Sequence, residues 1–225
     1  MLKLLNALLP ALLVVAFGAM WLNEGTRHDA WVISDENQPI ELITFGALLV
    51  GGCWGFWHLR ELGREGVALV TRLIFGVICL GLVVVAMEEI SWGQWFLKFE
   101  TPELVDQYNL QNELNLHNLK WTYGKSEVMR LAFGIGGIVG LLAGLAGLLR
   151  RIAPTMALLP WLVVIAFNAA VEFLVGWYEY SYSEDVDRLV IHVMPELTEM
   201  LIGLAGLGYI IGVVRRGRAA SEEPA

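Results

Sequence analysis

The sequence VALVTRLIFGVICLGLVVVAM occupies Val67–Met87 and contains one charged residue, Arg72. A helix rises about 1.5 Å per residue, so about 20 mainly apolar residues are needed to cross a hydrocarbon core that is about 30 Å thick. This run is long enough. In lipid, only helices and closed barrels satisfy every backbone hydrogen bond, and the run is too long and continuous for a barrel strand. We therefore predict a membrane-spanning helix.

The same pattern recurs along the chain. Five further runs are long and apolar enough to span a bilayer: residues 4–22, 41–59, 128–149, 156–177 and 189–214. The composition agrees, because 56% of the 225 residues are hydrophobic and 17% are charged. We predict an all-α integral membrane protein, a bundle of about six transmembrane helices in a single membrane domain over residues 1–214. The first run also resembles a signal peptide, but it is longer than a signal core and lacks a cleavage site before Trp21, so we expect an uncleaved helix.

The basic residues indicate the orientation of the bundle. If the N-terminus is cytoplasmic, nine of the 15 Lys and Arg residues fall on the cytoplasmic side, mostly in very short loops. The positive-inside rule therefore places both termini in the cytoplasm, and we expect a bacterial inner (plasma) membrane. The long loop 88–127 then faces the periplasm. We expect residues 215–225, a small and polar segment, to be a disordered cytoplasmic tail.

A polar stretch follows the apolar run directly. Residues 88–119 read EEISWGQWFLKFETPELVDQYNLQNELNLHNL and are dense in Trp, Asn and Gln. We interpret this stretch as the lid or lining of an outward-facing polar site. Within it, Thr101-Pro102-Glu103 predicts the start of a short interfacial helix, with Thr101 as N-cap and Pro102 at the first position. The candidate binding residues of the loop are Glu88, Trp92, Gln94, Asn115 and Asn118. The alternative is that the amides satisfy the backbone of an irregular loop.

Several ionisable or polar residues lie inside the predicted spans. A charged side chain at the centre of a bilayer costs about 2.5–3.5 kcal/mol on insertion scales. These side chains are therefore expected to meet a partner, bind a cation, hold a proton or line a wet cavity. Arg130 and Arg188 are the nearest basic partners by depth. The residues, all in the same leaflet, are Glu89 on the third run, Asn168 and Glu172 four apart on the fifth, and His192, Glu196 and Glu199 on one face of the sixth.

We hypothesise that the loop carrying His117 folds over the outer ends of the third, fifth and sixth spans. His117 and His192 would then approach Glu89, Glu172 and Glu196. Carboxylates combined with two imidazoles are typical of a divalent-cation site, although the spacing H-x3-E-x2-E matches no zinc or di-iron signature. The alternative is a protonated, hydrogen-bonded structural network. The candidate catalytic residues are Glu89, His117, His192 and Glu196, the candidate binding residues in the spans are Asn168 and Glu172, and the candidate metal ligands are His117, His192, Glu196 and Glu199.

Three motifs of the loop carry a family resemblance. They are EEISWGQ at 88–94, ETPE at 100–103 and NLQNELNLHN at 109–118, within a stretch that covers about a seventh of the chain. Together they resemble a signature of uncharacterised bacterial multi-pass membrane proteins. The resemblance implies a bacterial membrane protein, and it implies no substrate and no catalytic role.

The sequence leaves three functions open. The first is an intramembrane enzyme that acts on a lipid or lipid-linked substrate at the periplasmic leaflet, with a Glu/His site and with or without a metal. The second is a non-catalytic accessory subunit of envelope assembly that docks a protein partner. The third is a transporter or proton-coupled channel, but the inner halves of the spans are almost purely apolar and offer no continued relay. The net charge of −8 disfavours a nucleic-acid partner.

Overall fold

A computed structural model describes residues 2–35, 37–109, 113–115, 119, 125–178, 186 and 188–222 of the chain. These residues, referred to below as the described residues, are mainly helical. They contain no strand, and one isolated antiparallel bridge joins Asn109 to Leu119. The helices are α1 (Leu2–Leu22), α2 (Arg27–Ser34), α3 (Pro39–Arg64), α4 (Leu69–Glu89), α5 (Gln94–Leu97), α6 (Glu103–Asp106), α7 (Ser126–Leu145), α8 (Leu159–Tyr178) and α9 (Met194–Glu222).

Six helical segments of the described chain are long and apolar enough to cross a membrane. They confirm the predicted all-α fold with six spans, and they make the chain a multi-pass membrane protein by length and composition. The segments are Lys3–Leu22, Arg27–Arg64, Leu69–Glu89, Ser126–Leu145, Met156–Gly176 and Leu189–Arg218.

The helix ends differ from the predicted runs in three places. The segment before α3, expected to be a loop, contains α2, an amphipathic helix that buries Ala30 and places Trp31 6.1 Å from the Trp21 ring. Helix α7 ends at Leu145 instead of Leu149, because Gly147 adopts φ +92° and turns the chain. Helix α9 extends to Glu222, so that most of the expected disordered tail is helical.

Helix α9 is the central helix of the bundle. In its most apolar stretch 67% of the residues are buried, compared with 17% in the corresponding stretches of α1 and α7. One hydrophobic cluster packs α9 against α3 and α4 and includes Leu48, Phe75 and Ile210. Two others pack it against α1 and α8. The outer helices thus face lipid on one side, while α9 carries the contacts that hold them together.

Glycines set the closest helix approaches, but not all the glycines of the sequence pattern do so. Gly136, Gly140 and Gly144 recur every four residues on α7, and this spacing predicts a packing stripe. A Cβ placed on Gly136 would meet nothing within 4 Å, but one placed on Gly144 would collide with the Ala153 side chain, and one placed on Gly134 would lie 2.8 Å from the backbone nitrogen of Ala166 on α8. The prediction is therefore confirmed at Gly144 and wrong at Gly136, and the close approach to α8 lies at Gly134.

Pro195 shapes the entry to α9. A proline at this position is compatible with a helix that begins at Pro195 and with a longer helix that kinks there, and the sequence alone does not choose between them. The structure has a π-helical turn over Leu189–Val193 that leads into α9, and the Met194 N–H donates to the Leu189 carbonyl. A proline ring collides with the carbonyl four residues earlier in an α-helix, and the wider π turn relieves that contact.

The bundle has two chemically different ends. The arginine-rich end carries Arg60, Arg64, Arg72, Arg150, Arg151, Arg215, Arg216 and Arg218, and the acidic end carries the loop after α4 and the carboxylates described below. At the arginine-rich end Arg151 pairs with Glu65, and Arg216 donates to the Ala153 carbonyl. His58 is a lone histidine of this end in the sequence, which predicts an interfacial position, but it is only 1% exposed and its Nδ1 lies 2.6 Å from Glu61 Oε2.

Candidate functional site at the acidic end

Arg130 is the centre of the ionisable residues at the acidic end. This residue lies on α7, and its side chain is 5% exposed. Its Nε donates to Glu172 Oε2 at 3.2 Å, its Nη2 donates to Glu172 Oε1, and its Nη1 donates to Glu199 Oε1 at 2.5 Å. The guanidinium therefore joins α7 to α8 through a bidentate pair and to α9 through a single bond. Arg130, one of the two basic partners expected by depth, therefore binds two of the buried carboxylates.

More carboxylates surround this ion pair than one guanidinium neutralises. Glu89, at the end of α4, interacts electrostatically with Glu199, Glu196 and Glu41, and with Arg130. We use the name acidic cluster for these carboxylates together with Glu172. The cluster draws one or more members from each of four helices, α3, α4, α8 and α9, around an arginine from a fifth. Among the described members, five carboxylates face one arginine, and the excess negative charge needs protons or a cationic group in a low-dielectric environment.

Glu89 differs from the other members of the cluster. It is half-buried, and none of the described residues forms a hydrogen bond with it. Glu172 and Glu199, by contrast, are held by Arg130, and Glu41 accepts a hydrogen bond from the Asn37 amide. The neighbouring Glu88 accepts a hydrogen bond at 2.6 Å from the Trp92 indole nitrogen. Glu89 is thus a carboxyl group of the cluster to which no described residue donates a hydrogen bond.

The two polar residues of α8 bind different helices. Asn168 donates through Nδ2 to the Thr198 hydroxyl on α9 at 3.3 Å, one turn away from the pair between Glu172 and Arg130. Thr198 in turn donates to the Met194 carbonyl at 2.8 Å and is fully buried. Asn168 thus joins α8 to α9, and Glu172, four residues later, joins α8 to α7.

The histidines do not complete a metal site among the described residues. His192 is exposed, because the π turn shifts its phase relative to Glu196 and Glu199, which share a half-buried face of α9. His117 and Asn118 lie outside the described residues, and the predicted approach of His117 to the carboxylates stays a prediction. Within the described ranges no group of three or more His, Cys, Asp or Glu side chains could hold a metal ion.

The loop after α4 is held by hydrogen bonds between its own polar residues. Asn115 donates from Nδ2 to Glu113 Oε2 at 2.6 Å and to the Ser91 hydroxyl at 3.3 Å, and Ser91 donates to Glu113 at 3.1 Å. Asn109 donates to the Asn115 carbonyl at 3.1 Å. Both asparagines are buried, with 5% and 3% of their surfaces exposed. Asn115, a candidate binding residue, therefore has a structural role that connects the loop to the end of α4.

Gln94 joins a second part of the same loop. Its Oε1 accepts the Leu114 amide at 2.7 Å, and its Nε2 donates to the Thr101 hydroxyl at 2.8 Å. The Thr101 hydroxyl accepts this hydrogen bond from Gln94 and forms no capping hydrogen bond with the short helix. Helix α6 begins one residue later than predicted, at Glu103 after Pro102. The motif EEISWGQ thus contacts both ETPE, through Gln94, and the described part of NLQNELNLHN, through Ser91 and Gln94.

The turn between α4 and α5 is strained. Ser91, Trp92 and Gly93 have φ values of 45°, 55° and 83°. The left-handed region costs non-glycine residues about 1 kcal/mol or more each, and such strain concentrates at sites where a side chain must be aimed. The turn brings the Trp92 indole to Glu88 and the Ser91 hydroxyl to Glu113, directly after Glu89.

Two members of this site were not singled out from the sequence. Glu41 stands in the first turn of α3, where an acid also stabilises the positive end of a helix, so its position alone gave no signal. Glu113 lies four residues before His117 in the loop, and its binding to Ser91 and Asn115 depends on the fold of that loop. The position of Glu41 at the start of the second apolar run was the available signal.

The chain was also compared with known proteins. No protein-family profile, curated protein or solved structure matches it. The function is therefore argued from the site itself, and the family resemblance stays a prediction.

Proposed function

We propose that the acidic cluster is the active site of an intramembrane enzyme that acts on a lipid or lipid-linked substrate at the outer, periplasmic leaflet. The observation that carries this proposal is the state of Glu89. A half-buried carboxyl group without a hydrogen bond from the described residues is available to exchange a proton with a substrate hydroxyl or a bound water molecule. Positioned proton transfer of this kind accelerates reactions by about 10²–10⁴-fold.

The other residues of the cluster support that role. Glu196, which shares the field of Glu89, is the second carboxyl group for acid–base chemistry. Arg130, Glu172 and Glu199 hold α7, α8 and α9 in place and fix the charge around Glu89. Two carboxyl groups in each other's field divide the acid and base roles between them in many hydrolytic enzymes. His117 remains the candidate that would complete the site from the loop.

The substrate class follows from the position of the site. The cluster lies at the ends of membrane-spanning helices, where the polar heads of lipids are found. The arginine bias of the sequence favours a periplasmic acidic end in a bacterial inner membrane, and the proposal adopts this orientation. A substrate whose apolar part stays in the bilayer therefore presents its head group at the depth of Glu89.

The test is turnover of lipids in a defined bilayer. The protein is placed in nanodiscs made from a total bacterial lipid extract, and lipid species are followed by mass spectrometry in the wild type, Glu89→Gln and Glu100→Gln. We expect the wild type to convert at least one lipid species and Glu89→Gln to be slower by about 100-fold or more. Glu100→Gln, the control at an exposed glutamate of the following loop, should stay within about threefold of the wild type. A wild type that leaves every lipid unchanged contradicts the proposal.

One observation favours a second candidate, the accessory subunit. The segment after Glu89 exposes Trp92, Phe96, Leu97, Phe99 and Tyr108, with 36% to 74% of their surfaces open. Aromatic residues of this kind serve protein docking as well as anchoring at a membrane interface. If this segment docks a partner, Phe96→Glu should release a native complex that Glu89→Gln leaves intact.

The structure gives less support to the alternative function as a transporter. The middle of the bundle between the two ends is filled by apolar side chains of α3, α4 and α9, including Leu48, Leu82 and Ile210. A proton relay needs groups that continue through this region, and the described core residues at this level are apolar.

A further inference from the structure

A cavity of about 620 Å³ lies at the arginine-rich end, away from the acidic cluster. One wall is the connection between α3 and α4, with Glu65, Val67, Ala68 and Thr71, and the other is the turn before α8, with Leu149, Arg150 and Arg151. Both walls join membrane-spanning helices, so the cavity lies at the level of lipid head groups.

The charges around the cavity are mainly positive. Arg151 is paired with Glu65, whereas Arg150 is exposed and has no ion-pair partner among the described residues. Arg216, which lies on α9, adds to the positive electrostatic field of the cavity, because it interacts electrostatically with Arg151. The two arginines and one carboxylate of the lining leave a net charge of about +1, which suits a single negative charge.

The other residues that line the cavity favour a phosphodiester over a free inorganic anion. Thr71 contributes a hydroxyl group, and Val67, Ala68 and Leu149 contribute apolar surface beside the arginines. A phosphodiester with an acyl-glycerol body presents one negative charge together with apolar atoms. Basic cavities between membrane helices bind phospholipid head groups through this combination.

We propose that this cavity binds the phosphate group of an anionic phospholipid, with Arg150 as the main contact. The lipid is held at the leaflet opposite to the acidic cluster and ties the α3–α4 connection to the turn before α8. Its role is independent of the proposed reaction, so either can fail without the other.

The experiment measures retention of phosphatidylglycerol by native mass spectrometry. The purified protein is mixed in detergent with equal amounts of phosphatidylglycerol and phosphatidylcholine. We expect the wild type to retain phosphatidylglycerol selectively and Arg150→Gln to lower its retention about tenfold, which corresponds to about 1.4 kcal/mol, because the variant loses the charge-assisted hydrogen bond to the phosphate. Arg60→Gln is the matched control, because Arg60 is at the same end and rests on the Trp57 ring instead of lining the cavity.

Two further measurements distinguish a phospholipid bound in this cavity from a lipid bound elsewhere and from a free phosphate ion. Ala68→Glu places a carboxylate on the exposed wall and should abolish retention without a change in folding, measured by its unfolding temperature. Millimolar inorganic phosphate should leave the bound phosphatidylglycerol in place. Equal retention of phosphatidylcholine, displacement by inorganic phosphate, or an Arg150→Gln variant that behaves as Arg60→Gln does would overturn the proposal.

Discussion

Arg130 on α7 donates two parallel hydrogen bonds to the carboxylate of Glu172 on α8, and its remaining nitrogen binds Glu199 on α9. The Arg130 side chain is 5% exposed and that of Glu172 is 13% exposed. Removal of one member of a buried pair leaves a charge without its counter-charge, which is worth about 3–5 kcal/mol. This pair therefore contributes specificity of helix arrangement as well as charge at the site.

We predict that Arg130→Gln lowers the free energy of unfolding by about 3–5 kcal/mol. Arg130→Lys should lose less, because a lysine keeps the charge but not the bidentate geometry. Thermal unfolding of the purified protein in detergent measures both changes. Arg60→Gln, at an exposed arginine of the opposite end, should stay within about 0.5 kcal/mol of the wild type. Equal stability of Arg130→Gln and Arg60→Gln would show that the buried pair does not form.

The glycines of α7 give a matched pair of substitutions. We expect Gly134→Leu to destabilise the bundle by about 1–3 kcal/mol, because even a Cβ there would lie 2.8 Å from the backbone of Ala166. Gly136→Leu should be neutral or slightly stabilising, since its Cβ meets nothing within 4 Å and leucine favours a helix. The melting temperatures of the two variants decide the issue, and a larger loss at Gly136 would mean that the face of α7 is assigned incorrectly.

The hydrogen bonds of the loop can be tested by limited proteolysis. Asn115→Ala removes the donor that joins Glu113 and Ser91, at a cost of about 1–3 kcal/mol for the buried groups left unpaired. We expect trypsin to cleave after Lys98 faster in this variant than in the wild type. Glu100→Ala, at an exposed position of the same loop, serves as the control. Unchanged cleavage of Asn115→Ala would contradict a structural role for Asn115.

The orientation can be checked with reporter fusions. We predict a cytoplasmic signal for fusions at Arg151 and after Arg218, and a periplasmic signal for a fusion at Lys125, because the short arginine-bearing connections resist export. A periplasmic signal at Arg151 would reverse the bundle and would place the acidic cluster at the cytoplasmic leaflet.

Features that depend on neighbouring residues in the sequence were predicted well, and features that depend on contacts between distant residues were not. The six spans come from local apolar runs, and they agree with the structure to within a few residues except at α3, α7 and α9. From the sequence, membrane depth and charge are the only criteria for the basic partner of Glu172. Both Arg130 and Arg188 meet these criteria, so the sequence could not choose between them. The predicted glycine stripe of α7 was wrong at Gly136 and confirmed at Gly144, because glycine spacing alone does not show what lies opposite each glycine, and only the packed neighbour distinguishes Gly134 from Gly136.

The position of His192 shows a different limit. An α-helical phase predicted that it shares a face with Glu196 and Glu199, but the π turn before Pro195 adds to the local turn and changes that phase. The role of Asn115 could not be chosen from sequence either, because an amide that binds a ligand and one that binds a loop are the same residue type.

The most direct test of the site is carboxyl footprinting by mass spectrometry. A water-soluble carbodiimide and an amine modify carboxyl groups that are accessible and not held by hydrogen bonds or ion pairs. In phosphatidylcholine nanodiscs we expect Glu89 to be modified at least about tenfold faster than Glu172, whose charge-assisted bonds to Arg130 are each worth about 1.5–3 kcal/mol. In nanodiscs of bacterial lipid extract, bound substrate should slow the modification of Glu89 and leave that of the exposed Glu100 unchanged. Equal rates at Glu89 and Glu172, or a rate at Glu89 that the bacterial lipids do not alter, would contradict the account.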